Sequence, residues 1–349
     1  MAELRDILEL WKRARDAGEE VCLATVAGVE GSAYRRPGAR MLLTAAGERA
    51  GTVSGGCLEA EIAKKAWWLT EKGPAIQRYS SFFDDDGDMP YGLGCGGTVI
   101  VLLERGEAAA QCLAAVRRSV EERTASVIVT ATAAEGAGTR LIVNGAGEVV
   151  YARDADPALR GLAEEALQRR GSRRTGEFFV EWVAAPPAVT VFGAGDDARP
   201  LVAFAEALGW HVTVADGRAN LARAERFPGA SRVRGLEEAL DALTADDAAV
   251  VMTHSYEQDR AILRGLLPRE LQYLGVLGPR ARTERLANEV AGELGLDAEA
   301  CLGRLRSPVG LDLGGHAPAS IALSIAAELQ AVFAGRGEWK LSGAPAVHA

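Results

Sequence analysis

With 349 residues, 48% of them hydrophobic, and a mean hydropathy near zero, the chain is long enough for two domains with cores of their own and too apolar for disorder. A net charge of −9 and a pI near 5.2 argue against nucleic acid as a partner, which asks for a basic face. No signal-peptide pattern opens the sequence and no apolar run reaches the roughly 18 residues of a membrane span, so no membrane insertion and a cytoplasmic location are expected.

In chain order, residues 3–17 predict a helix with Leu4, Ile7, Leu8 and Trp11 on one face. A strand over 21–27 leads to a loop rich in Gly and Pro, 28–38. Strands at 39–43 and 49–53 make a hairpin around Ala46-Gly47. The loop Ser54-Gly55-Gly56-Cys57 feeds a helix over 58–70. A strand at 75–80 enters the acidic loop Asp84-Asp85-Asp86-Gly87-Asp88. That loop ends in Gly92-Leu93-Gly94-Cys95-Gly96-Gly97, and a strand at 98–104 follows. A helix at 107–122, a strand at 125–133, a hairpin around Asn144-Gly145, a helix near 156–169 and strands near 173–183 complete this half. Pro186-Pro187 reads as a linker, because two prolines block continued strand pairing.

Beyond it, strands at 188–192, 211–215, 248–253 and 272–276 alternate with helices at 198–208, 219–226, 257–266 and 280–294, and a last helix spans 318–334. That alternation predicts a parallel sheet covered on both faces. The fold class expected is α/β: an N-terminal mixed α/β domain, 1–185, then a C-terminal Rossmann-like doubly wound parallel sheet, 186–335, and a flexible tail, 336–349. No internal repeat is detected.

Val189 to Ala198 fits a strand, a GxGxxA turn and a helix. Gly193 would make the turn and Gly195 would admit a pyrophosphate, while Asp216 closes the next strand, where an acid binds a ribose hydroxyl. Asp196 and Asp197 spoil this pattern, since two carboxylates at a helix N-terminus repel phosphate. On the alternative reading the glycines serve packing and Asp197 is an N-cap. His254, at the end of a strand, is either a polar cap or a ligand contact.

The five cysteines are odd in number and contain no CxxC, which disfavours a disulfide scaffold. The four histidines include no HExxH, so a local metal motif is not expected. Cys57 precedes a helix, whose dipole favours thiolate, although Glu59 and Glu61 oppose it. It could equally be a small buried hydrophobe. Cys95 sits among four glycines whose N–H groups suit an anion. Arg35, Arg36 and Arg40 are candidate sources of positive charge. Cys22, Cys112 and Cys301 read as structural. The acidic loop lacks the glycine and terminal Glu spacing of a calcium loop.

Three stretches carry a resemblance: Gly31 to Met41, Gly51 to Glu59, and Leu93-Gly94-Cys95-Gly96-Gly97. With Phe192-Gly193-Ala194-Gly195, Val214 to Arg218, Val251 to His254 with Asp259, Gly275 to Arg280 and Ser307 to Asp312, the sequence resembles the XdhC/CoxI family along nearly its whole length. The resemblance implies an accessory factor that binds molybdenum cofactor, supports its sulfuration with a cysteine desulfurase, and inserts it into the apo-enzyme of a xanthine dehydrogenase or CO dehydrogenase type molybdenum hydroxylase. It implies a maturation chaperone rather than a turnover enzyme.

On this view Cys95 lies closest to the metal or the transferred sulfur, with Cys57 second. Ser32, Gly55, Gly56, Gly94, Gly96 and Gly97 line the cofactor, and Arg35 and Arg36 hold its phosphate. A homodimer would supply a second surface for transfer. Two departures, Asp196 to Arg199 after the first glycines and Ala317-Pro318-Ala319 before the last helix, set the C-terminal ligand apart from the family pattern. The competing readings are an NAD(P)-binding oxidoreductase, motivated by Gly193, Gly195 and Asp216, and a thiol redox protein.

Overall fold

The computed structural model describes residues 2–80, 97–133, 135–154 and 156–336. The chain falls into two compact units that part between Pro186 and Pro187.

The first unit opens with α1 (Ala2–Asp16), which buries Ile7, Leu8, Leu10, Trp11 and Ala14 as one stripe. Then come β1 (Val21–Gly31), the hairpin β2 (Arg40–Thr44) and β3 (Arg49–Gly51), helix α2 (Glu59–Leu69), β4 (Ala75–Ser80) and β5 (Gly97–Arg105). These strands form an antiparallel sheet in the order β3-β2-β1-β5-β4. Helix α3 (Gly106–Glu121) leads to β6 (Ser126–Ala131), the hairpin β7 (Arg140–Asn144) and β8 (Val149–Arg153), helix α4 (Ala158–Arg169), β9 (Arg173–Thr175) and β10 (Phe178–Val183). The second sheet has the order β8-β7-β6-β10-β9.

The two sheets have one topology, so the unit is an internal repeat, contrary to the expectation from sequence. Each copy runs strand, hairpin, helix, strand, strand, with its first strand at the centre. The turns coincide in detail. Gly47 N–H bonds to Thr44 O and Thr44 N–H to Glu48 O, both at 3.0 Å; Gly147 N–H bonds to Asn144 O and Asn144 N–H to Glu148 O, both at 2.9 Å. Gly47 and Gly147 both take positive φ, 90° and 83°.

A reciprocal pair of buried ion pairs joins the copies. Arg40 at the start of β2 binds Glu181 of β10 (Nη2–Oε2, 2.5 Å), and Arg140 at the start of β7 binds Glu104 of β5 (Nη2–Oε2, 2.7 Å). The sequence hides the repeat because apolar strand residues interchange freely, as in Met41-Leu42-Leu43 against Leu141-Ile142-Val143. One core cluster takes in α1, α3 and residues of both sheets, including Leu23, Leu42, Ile128 and Ile142. Helices α2 and α4 cover separate clusters, on the first and second sheet respectively.

The second unit runs β11 (Ala188–Phe192), α5 (Ala198–Ala207), β12 (His211–Ala215), β13 (Arg232–Arg234), α6 (Leu236–Asp241), β14 (Ala248–Val251), α7 (Tyr256–Leu266), β15 (Tyr273–Val276), α8 (Arg280–Leu294), α9 (Ala298–Arg304), β16 (Leu305–Arg306) and α10 (Pro318–Phe333). Its six strands are parallel, in the order β13-β12-β11-β14-β15-β16. One cluster packs α5 and α10 on the sheet, and another packs α6 to α9 on it, so the sheet is doubly wound, of Rossmann type. The helix expected at 219–226 is only a 3-10 turn at Ala224–Arg226. There Arg226 Nη1 donates to the carbonyls of Ala194 and Leu221, and Pro228 follows.

Candidate functional site at the loop end of the first sheet

Topology gathers the N-terminal candidates. β2 is antiparallel to β1 and β3 to β2, so β1 and β3 point the same way, while β5 runs opposite. The end of β1, the end of β3 and the start of β5 therefore share one edge of the sheet. Ser32 follows β1, Gly55, Gly56 and Cys57 follow β3, and Gly97 opens β5, paired with Gly31. A Cβ on Gly97 would stand 2.2 Å from Ser32 O and 2.7 Å from Glu30 O, so only glycine lets the chain re-enter here. The Tyr34 ring comes 3.7 Å from where a Cβ on Gly55 would lie. Cys95, Gly94 and Gly96, with the acidic loop, lie outside the described residues.

The Cys57 loop is fixed by residues that motif reading passed over. Glu59 is buried, and its Oε1 accepts from the N–H groups of Val53 (3.1 Å) and Ser54 (2.8 Å) while Oε2 accepts from Ser54 Oγ (2.5 Å). Having given its proton to Glu59, Ser54 Oγ accepts from Gly56 N–H and Leu58 N–H, both at 3.1 Å, and lies 3.5 Å from Cys57 Sγ. Burial works to raise the Glu59 carboxyl, but the hydrogen bonds from Ser54 and Val53 prevail and hold it below the ordinary range. Gly56 at φ 113° completes the turn. The thiol itself is exposed, not the buried hydrophobe that was the alternative. The N–H groups of Gly56 and Leu58 are engaged inside the loop, so they do not face a ligand. A Ser five residues before a Glu at a helix start was the signal available in sequence.

The arginines divide. Arg40 is 2% exposed and pairs with Glu181, so it supplies no charge to a ligand, contrary to expectation. Arg35 pairs with Glu3, which also accepts from Thr52 N–H and Oγ1, pinning the 32–38 loop to α1. Arg36 is exposed. Cys22, Cys112 and Cys301 are buried, and burial pushes the Cys22 thiol up to about 11.

In the second unit, Gly193, Gly195, Asp216 and His254 meet at the carboxyl ends of β11, β12 and β14. Gly193 has φ 124°, and a Cβ there would stand 2.4 Å from Met252 O, so the residue serves strand packing whether or not a ligand is present. Asp216 Oδ2 accepts from Ala194 N–H and Arg218 Nη2, and Oδ1 from Arg218 N–H and Nε, at 2.8–2.9 Å. Burial works to raise this carboxyl, yet Arg218 and the two N–H groups hold it below the ordinary range. Both oxygens that would meet a ribose are thus engaged within the chain. Asp197 makes no side-chain cap; its Oδ2 holds His254 Nε2 at 2.6 Å, and Asp196 binds Arg226 at 2.8 Å. Among the described residues no cluster of three or more His, Cys, Asp and Glu has a metal-holding arrangement.

Two family models match the chain: the XdhC and CoxI family over residues 14–80, and the XdhC Rossmann domain over 189–329. A protein of Bacillus subtilis named as a probable xanthine dehydrogenase component is 31% identical over 323 residues, 89% of this chain and 92% of the relative. The molybdenum cofactor insertion chaperone PaoD of Escherichia coli is 25% identical, covering 94% of this chain and 88% of its own. A crystal structure described as a xanthine dehydrogenase from Bacillus halodurans superposes with a TM-score of 0.77 at 29% identity, over 97% of this chain and 98% of that one. By these matches, and by the motifs that surround Cys57 and Gly193, the chain belongs to the XdhC and CoxI family.

Proposed function

We propose that the protein is an accessory factor that binds molybdenum cofactor at the loop end of its first sheet and passes it to the apo-enzyme of a molybdenum hydroxylase. The observation that carries this reading is an exposed thiol, Cys57, on a loop locked by Ser54 and Glu59 and sharing a sheet edge with Ser32 and Gly97. Cofactor transfer asks for such a group: a soft sulfur on a fixed backbone, reachable from solvent. The name of the Escherichia coli relative points the same way. In this reading Cys95 meets the molybdenum centre or the sulfur in transit, Arg36 with Arg35 meets the pterin phosphate, and a cysteine desulfurase supplies the sulfur. A xanthine dehydrogenase or CO dehydrogenase type enzyme is the client, and a second copy of the chain forms a homodimer for transfer in the cytoplasm.

An NAD(P)-dependent oxidoreductase is the competing function. Gly193 and Gly195 motivate it, and the engaged oxygens of Asp216 weigh against it. Anaerobic titration of the purified chain separates the two. Retention of pterin, lost on Cys95→Ser and weakened on Cys57→Ser with folding intact, supports the carrier. Tight nicotinamide binding with no pterin retained refutes it. In cells, Cys95→Ser lowers activation of a co-expressed hydroxylase; unchanged activation removes Cys95 from the mechanism.

A further inference from the structure

We propose that the second unit has its own anion-binding site, built for the phosphate of a compact phosphomonoester and set to the β14–β15 side of the dinucleotide position. A cavity of about 340 Å³ lies there, walled by Leu277, Pro279 and Ile321, with His254, Arg282 and His316 facing it. Among the described residues its walls carry no carboxylate, the nearest being Asp197 behind His254, although the chain as a whole is acidic.

Its cation is held by a buried chain of polar groups. Asp259, on α7 and 1% exposed, accepts from Thr253 Oγ1 at 2.5 Å and from Arg282 Nη2 at 2.7 Å. That fixes the guanidinium from behind. The other terminal nitrogen, Nη1, lies beside Gly278, 3.7 Å from where a Cβ would stand, and donates to no partner among the described residues. A Cβ at Gly278 would only touch it, but the φ of 125° there favours glycine. A planar guanidinium with one edge buried on a carboxylate and the other turned to a cavity is suited to a tetrahedral oxyanion.

The second observation is backbone conformation. His254 has φ 60°, a left-handed backbone uncommon outside glycine, although histidine visits it more readily than most residues. The His254 ring is exposed at the mouth of the cavity, bonded through Nε2 to Asp197. With Nε2 on the carboxylate, Nδ1 is left to a ligand or to water. Arg282, His254 and His316 thus approach one volume from different elements: the first turn of α8, the end of β14 and the segment before α10. Apolar walls on Leu277 and Ile321 leave room for a small organic group behind the phosphate. The site needs neither the Gly193 turn nor Asp216, and it does not rest on the molybdenum cofactor reading.

The test uses the full chain and calorimetric titration at low ionic strength with inorganic phosphate, glycerol 3-phosphate, acetate and NADPH in separate arms. Phosphate and glycerol 3-phosphate should bind and compete with each other. Arg282→Lys keeps a countercharge on Asp259 but loses the second nitrogen, and should weaken both about tenfold. His254→Asn, a residue that tolerates the left-handed backbone, should weaken both roughly three- to fivefold by loss of one hydrogen bond. Circular dichroism checks that both variants fold. Three results would each overturn the proposal: affinities unchanged in both variants, acetate matching phosphate, or NADPH alone binding.

Discussion

Removing Arg140 should cost the first unit more than any surface change, because Glu104 has no other charge partner among the described residues. The Glu104 side chain is 0% exposed. Its Oε2 takes the Arg140 Nη2 bond at 2.7 Å, while Oε1 has no partner among the described residues. Arg140 also donates from Nη1 to Ala108 O (2.9 Å) and from Nε to Thr130 Oγ1 (3.2 Å), tying the second sheet to the start of α3. Arg140→Met strips the carboxylate of its one charge partner among the described residues and removes the side-chain donor to the Ala108 carbonyl. Breaking a buried pair on one side costs about 3–5 kcal/mol. With a urea slope of about 2 kcal/mol per molar for a unit of this size, the midpoint should fall by roughly 2 M. The double variant Arg140→Met/Glu104→Met removes the orphaned charge and should return to within about 1–2 kcal/mol of the native protein. Trp11, Trp67, Trp68 and Trp182 belong to this unit and report on it by fluorescence, whereas Trp210 and Trp339 belong to the rest of the chain. A single variant within about 0.5 M of the native midpoint, or a double variant less stable than the single, would refute the reasoning.

Three further outcomes are expected. Gly193→Ala should destabilise the second unit by about 2 kcal/mol or more with no nucleotide present, since its Cβ meets Met252 O at 2.4 Å; an unchanged melting temperature would show that the glycine answers to a ligand instead. Because burial raises the Cys22 thiol from 9.0 to about 11, folding gains stability below pH 9 that fades as the pH climbs to about 11, some 2–3 kcal/mol in all; the Cys22→Val protein should lack that part of the alkaline decline, and an equal decline in both excludes the thiol as its source. Of the four described cysteines, Cys57 alone should react with iodoacetamide in the folded chain, read by peptide mass mapping; modification of Cys112 or Cys301 at a comparable rate would contradict the burial that separates them.

The sequence was most legible where pattern and structure share a period. The stripe of α1, the Pro186-Pro187 break and the strand–helix alternation after it match the elements observed. Short elements escaped because β13, α6, α9 and β16 are too brief for periodicity to register. At the candidate site, glycine spacing and cysteine position pointed to the edge where Ser32, Gly55, Cys57 and Gly97 meet. The partners that shape this edge were not legible. Glu3 reaches Arg35 across 32 residues and Glu181 reaches Arg40 across 141, and no local pattern encodes a pairing over such spans. Charge alone made Arg40 look like a ligand group; only burial shows that it is a strut.

The duplication explains where the first unit was free to specialise. Both copies keep the hairpin, its glycine turn and one half of the reciprocal ion pair, so each sheet holds the other's arginine. They differ at the end where their first strand stops. In the first copy that end carries Gly55, Gly56, the exposed Cys57 and the tight Gly31–Gly97 pairing. In the second copy the matching connections hold Thr132, Gly136, Gly138, Asp154, Asp156, Gly176 and Glu177, with no cysteine. The Cβ of a residue at 138 would strike Pro74, the residue just before β4, so part of this end packs on the first copy instead of facing solvent. The Ser54–Glu59 lock gives the loop that carries the exposed thiol a rigid base locally. The second sheet, by burying Arg40 on Glu181, gives it one globally. Loss of Glu181 should therefore disturb the loop that ends at Gly38 before it disturbs the exposed face of the second sheet, because Arg40 Nη1 also donates to Gly38 O at 2.8 Å.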